Sequence, residues 1–273
     1  MAPNLETVLV DVDENRVATI TLNRPEQLNA WNAQLNADLD SAMLWAEGSE
    51  DVRAIVLTGA GRCFCAGADL AGGGDTFSGR RESDGREERT SSVYPFQLKT
   101  PVIAAINGHA VGVGATYTLA CDVRVAATDA KIAFVFVRRG MLPELASHAI
   151  LPRVVGMSNA AELLFTGKAI TGTQAADIGL VSSAVAVEEV LSVARDLATD
   201  IAVNSAPVSV AMAKRLLWEG MSLSVDEMQQ REHAPFAWAG DQPDAREGIE
   251  SFLEKRTPDW KLSAARDFPE ELF

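Results

Sequence analysis

Cysteine, basic residues and long apolar runs are all scarce in this chain of 273 residues. It has only three cysteines, an odd number, and its first residues lack the basic start and apolar run of a secretory signal. We therefore expect reduced thiols and a cytoplasmic location. Lysine and arginine number 24 against 38 acidic residues, a formal net charge of −14. Such a surface repels phosphate backbones and anionic lipids, which argues against nucleic-acid and membrane partners.

Several well-known catalytic and binding motifs are also missing. The chain has no G-x-S-x-G nucleophile elbow, no G-x-x-x-x-G-K-[ST] phosphate loop and no H-E-x-x-H zinc pair. Two segments starting at Gly59 and Gly112 approach G-x-G-x-x-G but lack its third glycine, which disfavours a dinucleotide site. Cys63 and Cys65 are too close in sequence for a usual zinc site, so no metal is expected.

Short apolar strands alternate with helical segments in the first half of the chain, a pattern that predicts an α/β fold. Strands are expected over residues 17–22, 53–58, 101–106 and 132–136. A helix capped by Asn32 is expected to run to about Glu47, with Leu35, Leu39, Ala42, Leu44 and Ala46 on or near its buried side. After about residue 144 the chain becomes mostly helical, and the first of these helices is predicted over 144–151.

Residues 72–92 differ from the rest of the chain, with five glycines, nine charged residues and Phe77 as the one large apolar side chain. This composition cannot bury a core, so we expect an excursion from the compact fold. A solvated loop and a lid that shapes a binding pocket remain equally open from the sequence.

Two glycine-containing segments, 63–70 and 107–114, each follow a predicted strand. Glycine lets the backbone approach a ligand closely and expose its N–H groups. The second segment also leads into a helix, whose first N–H groups have no partner inside the helix. Two such N–H groups that face one oxygen would form an oxyanion hole. From the spacing alone, two ordinary turns with no role in binding are as plausible as an oxyanion hole.

Five segments, in order, resemble the crotonase superfamily, which contains the enoyl-CoA hydratases and isomerases. They span residues 23–30, 64–70, 107–122, 165–181 and 252–256. The resemblance implies a spiral of β-β-α turns as the acyl-CoA-binding core, residues 1–200. It also implies a helical C-terminal oligomerisation region, residues 201–273, that builds trimers, often paired into hexamers.

The resemblance implies an acyl-CoA thioester as ligand, with coenzyme A as part of the substrate and no separate cofactor. By position, the amides of Ala68 and Val113 hold the thioester oxygen. Either Lys255 or Arg256 would reach a CoA phosphate, in the same or a neighbouring subunit, although a solvated helix end explains Lys255 equally well. The further substrate-binding positions that the resemblance implies are Gln27, Leu28, Ala66, Asp69, Leu70, Thr116 and Phe136. For Asp69 we favour a role in bonding loop amides.

The chain departs from the typical hydratase, which activates water with two glutamates. By the resemblance, Thr116 and Phe136 stand at the positions of these two glutamates. Neither side chain has a carboxylate, so neither can activate water in that way. Glu144, directly after Pro143, matches the acidic residue of isomerases that move an enoyl double bond, and it is our candidate acid/base. We expect it at a helix start, where a general base requires burial beside Phe134 and Phe136 to bring its pKa toward the working pH.

These residues predict an enzyme that shifts an enoyl-CoA double bond through an enolate. Hydration of a 2-enoyl-CoA, with Glu144 alone acting on water, is the alternative of the same class. A non-catalytic acyl-CoA binding protein is the alternative of another class, because both hydratase glutamates are missing. A scaffold in which the trimer matters more than the pocket is a further possibility.

Overall fold

The computed structural model describes residues 3–77 and 92–273. Of the glycine-rich excursion predicted over 72–92, residues 78–91 lie outside this description. Its first residues form a short 3-10 helix, Gly73–Asp75.

The larger of two sheets has six strands. Strands β1 and β2 form an antiparallel hairpin, and the remaining strands continue the sheet in parallel. The spatial order is β1-β2-β3-β5-β7-β10. The strand bounds are β1 Val8–Val12, β2 Val17–Leu22, β3 Ala54–Gly59, β5 Val102–Ile106, β7 Val123–Ala127 and β10 Ser183–Val185.

A second sheet has four short strands in the order β4-β6-β8-β9. Their bounds are β4 Cys63–Cys65, β6 His109–Val111, β8 Lys131–Ala133 and β9 Ala169–Thr171. Strands β4, β6 and β8 are parallel, and β9 is antiparallel to β8. Along the chain, β3, β5 and β7 in the large sheet are each followed at once by a strand of the small sheet. This alternation is the predicted spiral of β-β-α turns, which is confirmed.

Helices cover the sheets and make up most of the second half of the chain. Helix α1 begins after Asn32, whose side chain accepts a hydrogen bond from the Leu35 amide at 2.8 Å. The helix bounds are α1 Ala33–Glu47, α2 Val113–Leu119, α3 Ser147–Val155, α4 Met157–Thr166, α5 Gly172–Asp177, α6 Val190–Asn204, α7 Pro207–Glu219, α8 Val225–Gly240, α9 Pro243–Glu254 and α10 Ala264–Asp267. Among the residues described, no helix combines the length and apolar character needed to cross a membrane.

The core lies around β3 and β5, whose residues are all buried. Parallel strands with helices on both faces read as continuous apolar runs rather than alternating ones. On α1 four of the five predicted inward residues are buried, at spacings of four, three and four: Leu35, Leu39, Ala42 and Ala46. The inclusion of Leu44 was wrong, because this residue follows Ala42 by two positions, and residues two apart point to nearly opposite sides of a helix. Leu44 is 57% exposed.

Two predicted boundaries near residue 140 are wrong. The strand expected over 132–136 ends at Ala133 and continues as a 3-10 helix, Val135–Arg139. The helix expected from Glu144 begins only at Ser147. Leu145 and Ala146 both adopt left-handed backbone conformations, with φ of 55°, and such residues cannot belong to a right-handed helix.

A buried lysine fastens the C-terminal helices to the core. Lys214 of α7 forms an ion pair with Asp122 at 2.8 Å and donates hydrogen bonds to two backbone carbonyls. The Trp218 indole donates to the other oxygen of Asp122 at 2.8 Å. A buried charge is tolerated only when it is paired and hydrogen-bonded. The functional division at residue 200 stays a prediction, and α6 runs through it without a break.

Candidate active site

The two glycine-containing segments predicted from the sequence lie side by side. Strands β4 and β6 lie within them and pair in parallel, with Cys63 opposite His109 and Cys65 opposite Ala110. Because parallel strands end at the same edge of a sheet, residues 66–70 and 112–114 leave that edge together. The structure therefore brings Ala66, Ala68, Asp69 and Val113 into one region.

Glycine is required where the two segments touch. A Cβ atom on Gly67 would lie 3.1 Å from the Val111 oxygen and 4.0 Å from the Gly112 Cα. Both glycines have positive φ, 101° at Gly67 and 55° at Gly112, which side chains disfavour. At the second residue of α2, a Cβ atom on Gly114 would lie 2.6 Å from the Cys65 oxygen. The helix thus sits directly on β4 because Gly114 has no side chain.

The amides of Ala68 and Val113 are available as hydrogen-bond donors. The Gly67 carbonyl accepts a bond from the Trp31 amide at 2.8 Å. In a trans peptide the N–H points opposite to the C=O, so the Ala68 N–H points away from Trp31. Val113 is the first residue of α2, where an amide has no partner inside the helix. Neither amide donates to any group in residues 3–77 and 92–273.

Asp69 holds the turn that follows Ala68. Its Oδ1 accepts a bond from the Ala71 amide at 3.1 Å, and its Oδ2 accepts one from Arg24 Nη2 at 2.9 Å. The hydrogen bond from Arg24 is the largest cause of a lowered Asp69 pKa. The predicted role of Asp69 in bonding loop amides agrees with these contacts.

Asn29 is a buried residue of the site that the sequence analysis missed. Its Oδ1 accepts a bond from the Arg24 amide at 2.8 Å, and its Nδ2 donates to the carbonyls of Ala60 and Cys63 at 3.0 and 2.8 Å. The two bonds donated by Nδ2 join segment 24–30 to the end of β3 and the start of β4. The only available signal was a polar residue inside a matched segment, because the carbonyls to which Asn29 donates lie more than 30 residues away.

Gln27, Leu28 and Leu70 lie around this region with different exposure. Gln27 ends an exposed 3-10 helix, Pro25–Gln27, and Leu28 follows it with a φ of 53°. The Leu28 carbonyl accepts a bond from the Ala66 amide at 3.0 Å, which ties this segment to the first loop. Leu70 is exposed. Residues of segment 23–27 line an open surface cleft together with Asp69 and Ala71.

Thr116 and Phe136 are the residues that the family resemblance places at the two glutamate positions of a hydratase. Thr116 is fully buried in α2, and its hydroxyl donates to the carbonyls of Gly112 and Val113 at 3.4 and 3.3 Å. Phe136 lies half-buried in the 3-10 helix, not in a strand. Neither side chain can remove a proton from water.

Glu144 lies on an exposed turn, so in the single chain it does not have the burial beside Phe134 and Phe136 that a general base requires. The physical reason is the late start of α3, because the left-handed Leu145 and Ala146 follow Glu144 directly. The segment that carries Glu144 begins beside the second loop, where the Gly112 amide donates to the Ala133 carbonyl at 2.8 Å. It ends at α3, which packs against α2.

The remaining predicted residues lie outside this region. His148, four residues after Glu144, is exposed on α3, and Glu144 precedes that helix. Lys255 is exposed and ends α9 in a left-handed conformation, with its amide bonded to α9 carbonyls. Arg256 pairs with Glu247 and Glu254. Among the described side chains, no cluster of three His, Cys, Asp or Glu residues has a metal-binding arrangement.

Comparison with known proteins identifies the family. The family model described as enoyl-CoA hydratase/isomerase matches residues 13–263. The short-chain-enoyl-CoA hydratase of Clostridium acetobutylicum is 34% identical over 89% of this chain and 93% of its own. The 1,2-epoxyphenylacetyl-CoA isomerase of Escherichia coli is 33% identical over 93% of this chain and 98% of its own. The crystal structure of an enoyl-CoA hydratase from Bacillus anthracis superimposes with a TM-score of 0.85, at 34% identity over 94% of this chain and 99% of that one.

The fold and the paired loops are those of a crotonase-type enzyme. The chain belongs to the enoyl-CoA hydratase/isomerase family. The resemblance that the five sequence segments carried is therefore confirmed, as is the prediction of an enzyme. Both hydratases and an isomerase are among the relatives, so membership alone leaves the choice of reaction open.

We predict that Gly114→Ala destabilises the protein by about 1–3 kcal/mol, since the added methyl group meets the β4 backbone. Gly248→Ala is the matched control, because Gly248 also lies inside a helix, α9, and its added methyl group makes only ordinary contact with Trp260. The control should be neutral or stabilising by up to about 1 kcal/mol. Urea unfolding of both variants measures the difference. Equal stability of the two variants would contradict the close packing of α2 on β4.

Proposed function

We propose that the protein is an enoyl-CoA isomerase that converts a 3-enoyl-CoA into a 2-enoyl-CoA. The Glu144 carboxylate takes a proton from C2, the electron pair spreads into a dienolate, and Glu144 returns the proton to C4. The observation that carries this proposal is the composition of the site. It holds two amides that donate to no group among the described residues and a carboxylate at 144, with threonine and phenylalanine at the positions that the resemblance assigns to the hydratase glutamates.

The amides of Ala68 and Val113 would stabilise the dienolate oxygen. Negative charge grows on the thioester oxygen as the proton leaves, so donors held in place act more strongly in the transition state than on the substrate. Removal of one such donor typically costs about 3–4 kcal/mol of barrier stabilisation. The close contact of Gly67 and Gly112 supports this role, because it holds the two peptides without an intervening side chain.

The backbone around Glu144 supports an active role for this residue. Two consecutive non-glycine residues in the left-handed region, Leu145 and Ala146, follow it. Each such residue costs on the order of 1 kcal/mol, and strain of this kind concentrates at functional sites. Because the single chain leaves Glu144 exposed, the desolvation that a general base needs would come from the bound acyl chain.

Hydration of a 2-enoyl-CoA is the second candidate reaction. The hydratase from Clostridium acetobutylicum, at 34% identity, favours it. In this chain, however, water would have to be activated by Glu144 alone, since Thr116 bonds within its own helix and Phe136 has no polar atom. A binding protein without turnover is the remaining alternative.

We propose that no metal ion or redox cofactor takes part, since the reaction moves one proton and changes no oxidation state. Coenzyme A would enter only as part of the substrate. We also propose a cytoplasmic location. Its support is that Cys63, Cys65 and Cys121 are all buried and unbridged, as is usual in a reducing compartment.

We predict that Glu144→Gln lowers kcat for a 3-enoyl-CoA by about 10²- to 10⁴-fold, the usual contribution of a general acid/base. The amide keeps the size of the side chain but cannot carry the proton. The measurement is mass spectrometry of the products formed from 3-enoyl-CoA and 2-enoyl-CoA in deuterated water. The wild type should move the double bond, and it should incorporate deuterium in those turnovers in which the Glu144 carboxyl exchanges its proton with solvent before returning it.

Glu162→Gln is the matched control, because Glu162 is an exposed glutamate on α4 that pairs with Lys168 at 2.6 Å. It should behave as wild type. Addition of water to 2-enoyl-CoA, with no isomerisation of the 3-enoyl ester, would establish the hydratase instead. Acyl-CoA binding with no reaction in the wild type would favour the binding protein.

We further propose that Lys255 binds a CoA phosphate. It is exposed at the end of α9, whereas the neighbouring Arg256 is held by Glu247 and Glu254. An acidic protein needs a local cation for such a ligand, and Lys255 supplies one with no carboxylate partner among the residues described. The cation would serve its own subunit or a neighbouring one.

We predict that Lys255→Ala raises KM for an enoyl-CoA by about fivefold, which corresponds to about 1 kcal/mol for an exposed ion pair. With the matching ester of dephospho-CoA, which lacks the 3′-phosphate, wild type and variant should have equal KM values. Lys261→Ala, which removes a lysine paired with Asp259, is the control and should leave both KM values unchanged. An unchanged KM for the CoA ester would contradict the role of Lys255.

We propose that the chain forms a homotrimer or homohexamer through its C-terminal helices. Large apolar side chains are exposed on α7, α8 and α9, and this supports a covered surface. These residues are Leu217, Val225, Phe236, Ile249, Phe252 and Leu253.

We predict that sedimentation velocity gives a mass of three or six chains for the wild type, and that Phe236→Asp shifts the distribution toward the monomer. The variant places a charge on a side chain that is 80% exposed in the single chain. Leu9→Asp, at an exposed apolar position on edge strand β1, is the control and should leave the mass unchanged. A monomeric wild type would rule out the proposed assembly.

A further inference from the structure

The direction of the Ala68 N–H depends on two chain segments, which the side chain of one arginine joins. The first is segment 24–31, and the second is segment 67–71. The two segments run side by side at Trp31, whose amide donates to the Gly67 carbonyl at 2.8 Å and whose carbonyl accepts from the Asp69 amide at 2.9 Å. These two bonds set the planes of the peptides on either side of Ala68, and therefore the direction of its N–H.

Arg24 contacts both segments next to this pairing. Its Nη1 donates to the carbonyl of Ala30, the residue before Trp31, and its Nη2 pairs with Asp69 Oδ2 at 2.9 Å. The planar guanidinium presents its donors in a fixed geometry, so one side chain spans the residue before Trp31 and the residue after Ala68. Both side chains of the ion pair are mostly shielded from solvent.

The backbone of Arg24 is fixed as firmly as its side chain. Its amide donates to Asn29 Oδ1 at 2.8 Å, and its carbonyl accepts from the amides of Gln27 and Asn29 at 3.0 and 2.9 Å. Asp69 is held on its other side by the Ala71 amide at 3.1 Å. Movement of segment 24–28 would therefore pass through Arg24 to Asp69 and to the Ala68 peptide.

We infer that the Arg24–Asp69 ion pair is a positioning pair that aims the Ala68 amide at the thioester oxygen. This inference rests on the proposed function, in which that amide stabilises the dienolate. Neither side chain touches the reacting atoms. Because the oxyanion carries most charge in the transition state, misdirection of the amide lowers kcat more than it weakens substrate binding.

The test compares Asp69→Asn, Asp69→Ala, Arg24→Lys, Arg24→Ala and the double variant Arg24→Ala/Asp69→Ala. We expect the two single alanine variants to lower kcat for the 3-enoyl-CoA by about tenfold, part of the 10²–10³ that a whole donor contributes, with KM within about twofold of wild type. Asp69→Asn and Arg24→Lys keep part of the contact and should be intermediate. The double variant should be no worse than either alanine variant, since the two residues act as one unit.

Ligand affinity provides a second readout that a purely structural role would not change. Acetoacetyl-CoA enolises and places negative charge on its thioester oxygen, whereas an S-alkyl-CoA thioether has no such oxygen. Asp69→Ala and Asp69→Asn should weaken binding of acetoacetyl-CoA and leave binding of the thioether unchanged. Glu250→Ala, which removes the exposed pair with Arg246 at 2.7 Å, is the control and should change neither affinity nor kcat.

The outcomes separate this inference from the function on which it rests. A wild type that fails to isomerise any 3-enoyl-CoA overturns the proposed function and the inference together. An active wild type whose Asp69 and Arg24 variants keep full kcat, with only a lower melting temperature, overturns the inference alone. A raised KM with unchanged kcat in Arg24→Ala, absent in Asp69→Ala, would also overturn it, because Arg24 would then bind substrate phosphate directly.

Discussion

The close contact between Gly67 and Gly112 is the constraint on which the rest of the site depends. Two backbone amides can face one oxygen only if their peptides approach without side chains between them, and here a Cβ on Gly67 would come within 3.1 Å of a neighbouring carbonyl. The parallel pairing of β4 and β6 delivers both segments to the same edge. The spiral of strands that alternates between two sheets is what makes those two short strands neighbours.

In the proposed reaction, backbone amides would stabilise charge and a separate side chain would transfer the proton. The amides would need only the fold and the two glycines, whereas the acid/base could lie at different places around a bound thioester. The family resemblance places Thr116 and Phe136 at the positions of the water-activating carboxylates, and a carboxylate, Glu144, follows Pro143. The strained residues Leu145 and Ala146 hold that carboxylate on a turn rather than in a helix, so its desolvation depends on what binds beside it.

The elements with strong local signals were predicted well. Strands β3 and β5 are continuous apolar runs, and α1 has a cap and a repeating apolar face, so their types follow from local sequence. The boundary errors fall between Ala133 and Ser147, where an apolar run of β-branched and aromatic residues favours a strand. In the structure the small sheet ends at Ala133, and the rest of this apolar run forms a 3-10 helix. Helix α3 likewise starts late because of two left-handed residues that no local pattern signals.

The family, the two glycine segments, the residues at 116 and 136 and the presence of Glu144 could all be read from residue identity and order along the chain. Which groups meet in space follows from the folded structure instead. Segments 30 or more residues apart are joined by the bonds of Asn29 to Ala60 and Cys63 and by the Arg24–Asp69 pair. The direction of the Ala68 N–H likewise depends on a bond between distant segments, from the Trp31 amide to the Gly67 carbonyl. Such contacts depend on strand register and on how distant segments pack together, and no single segment of the sequence specifies either.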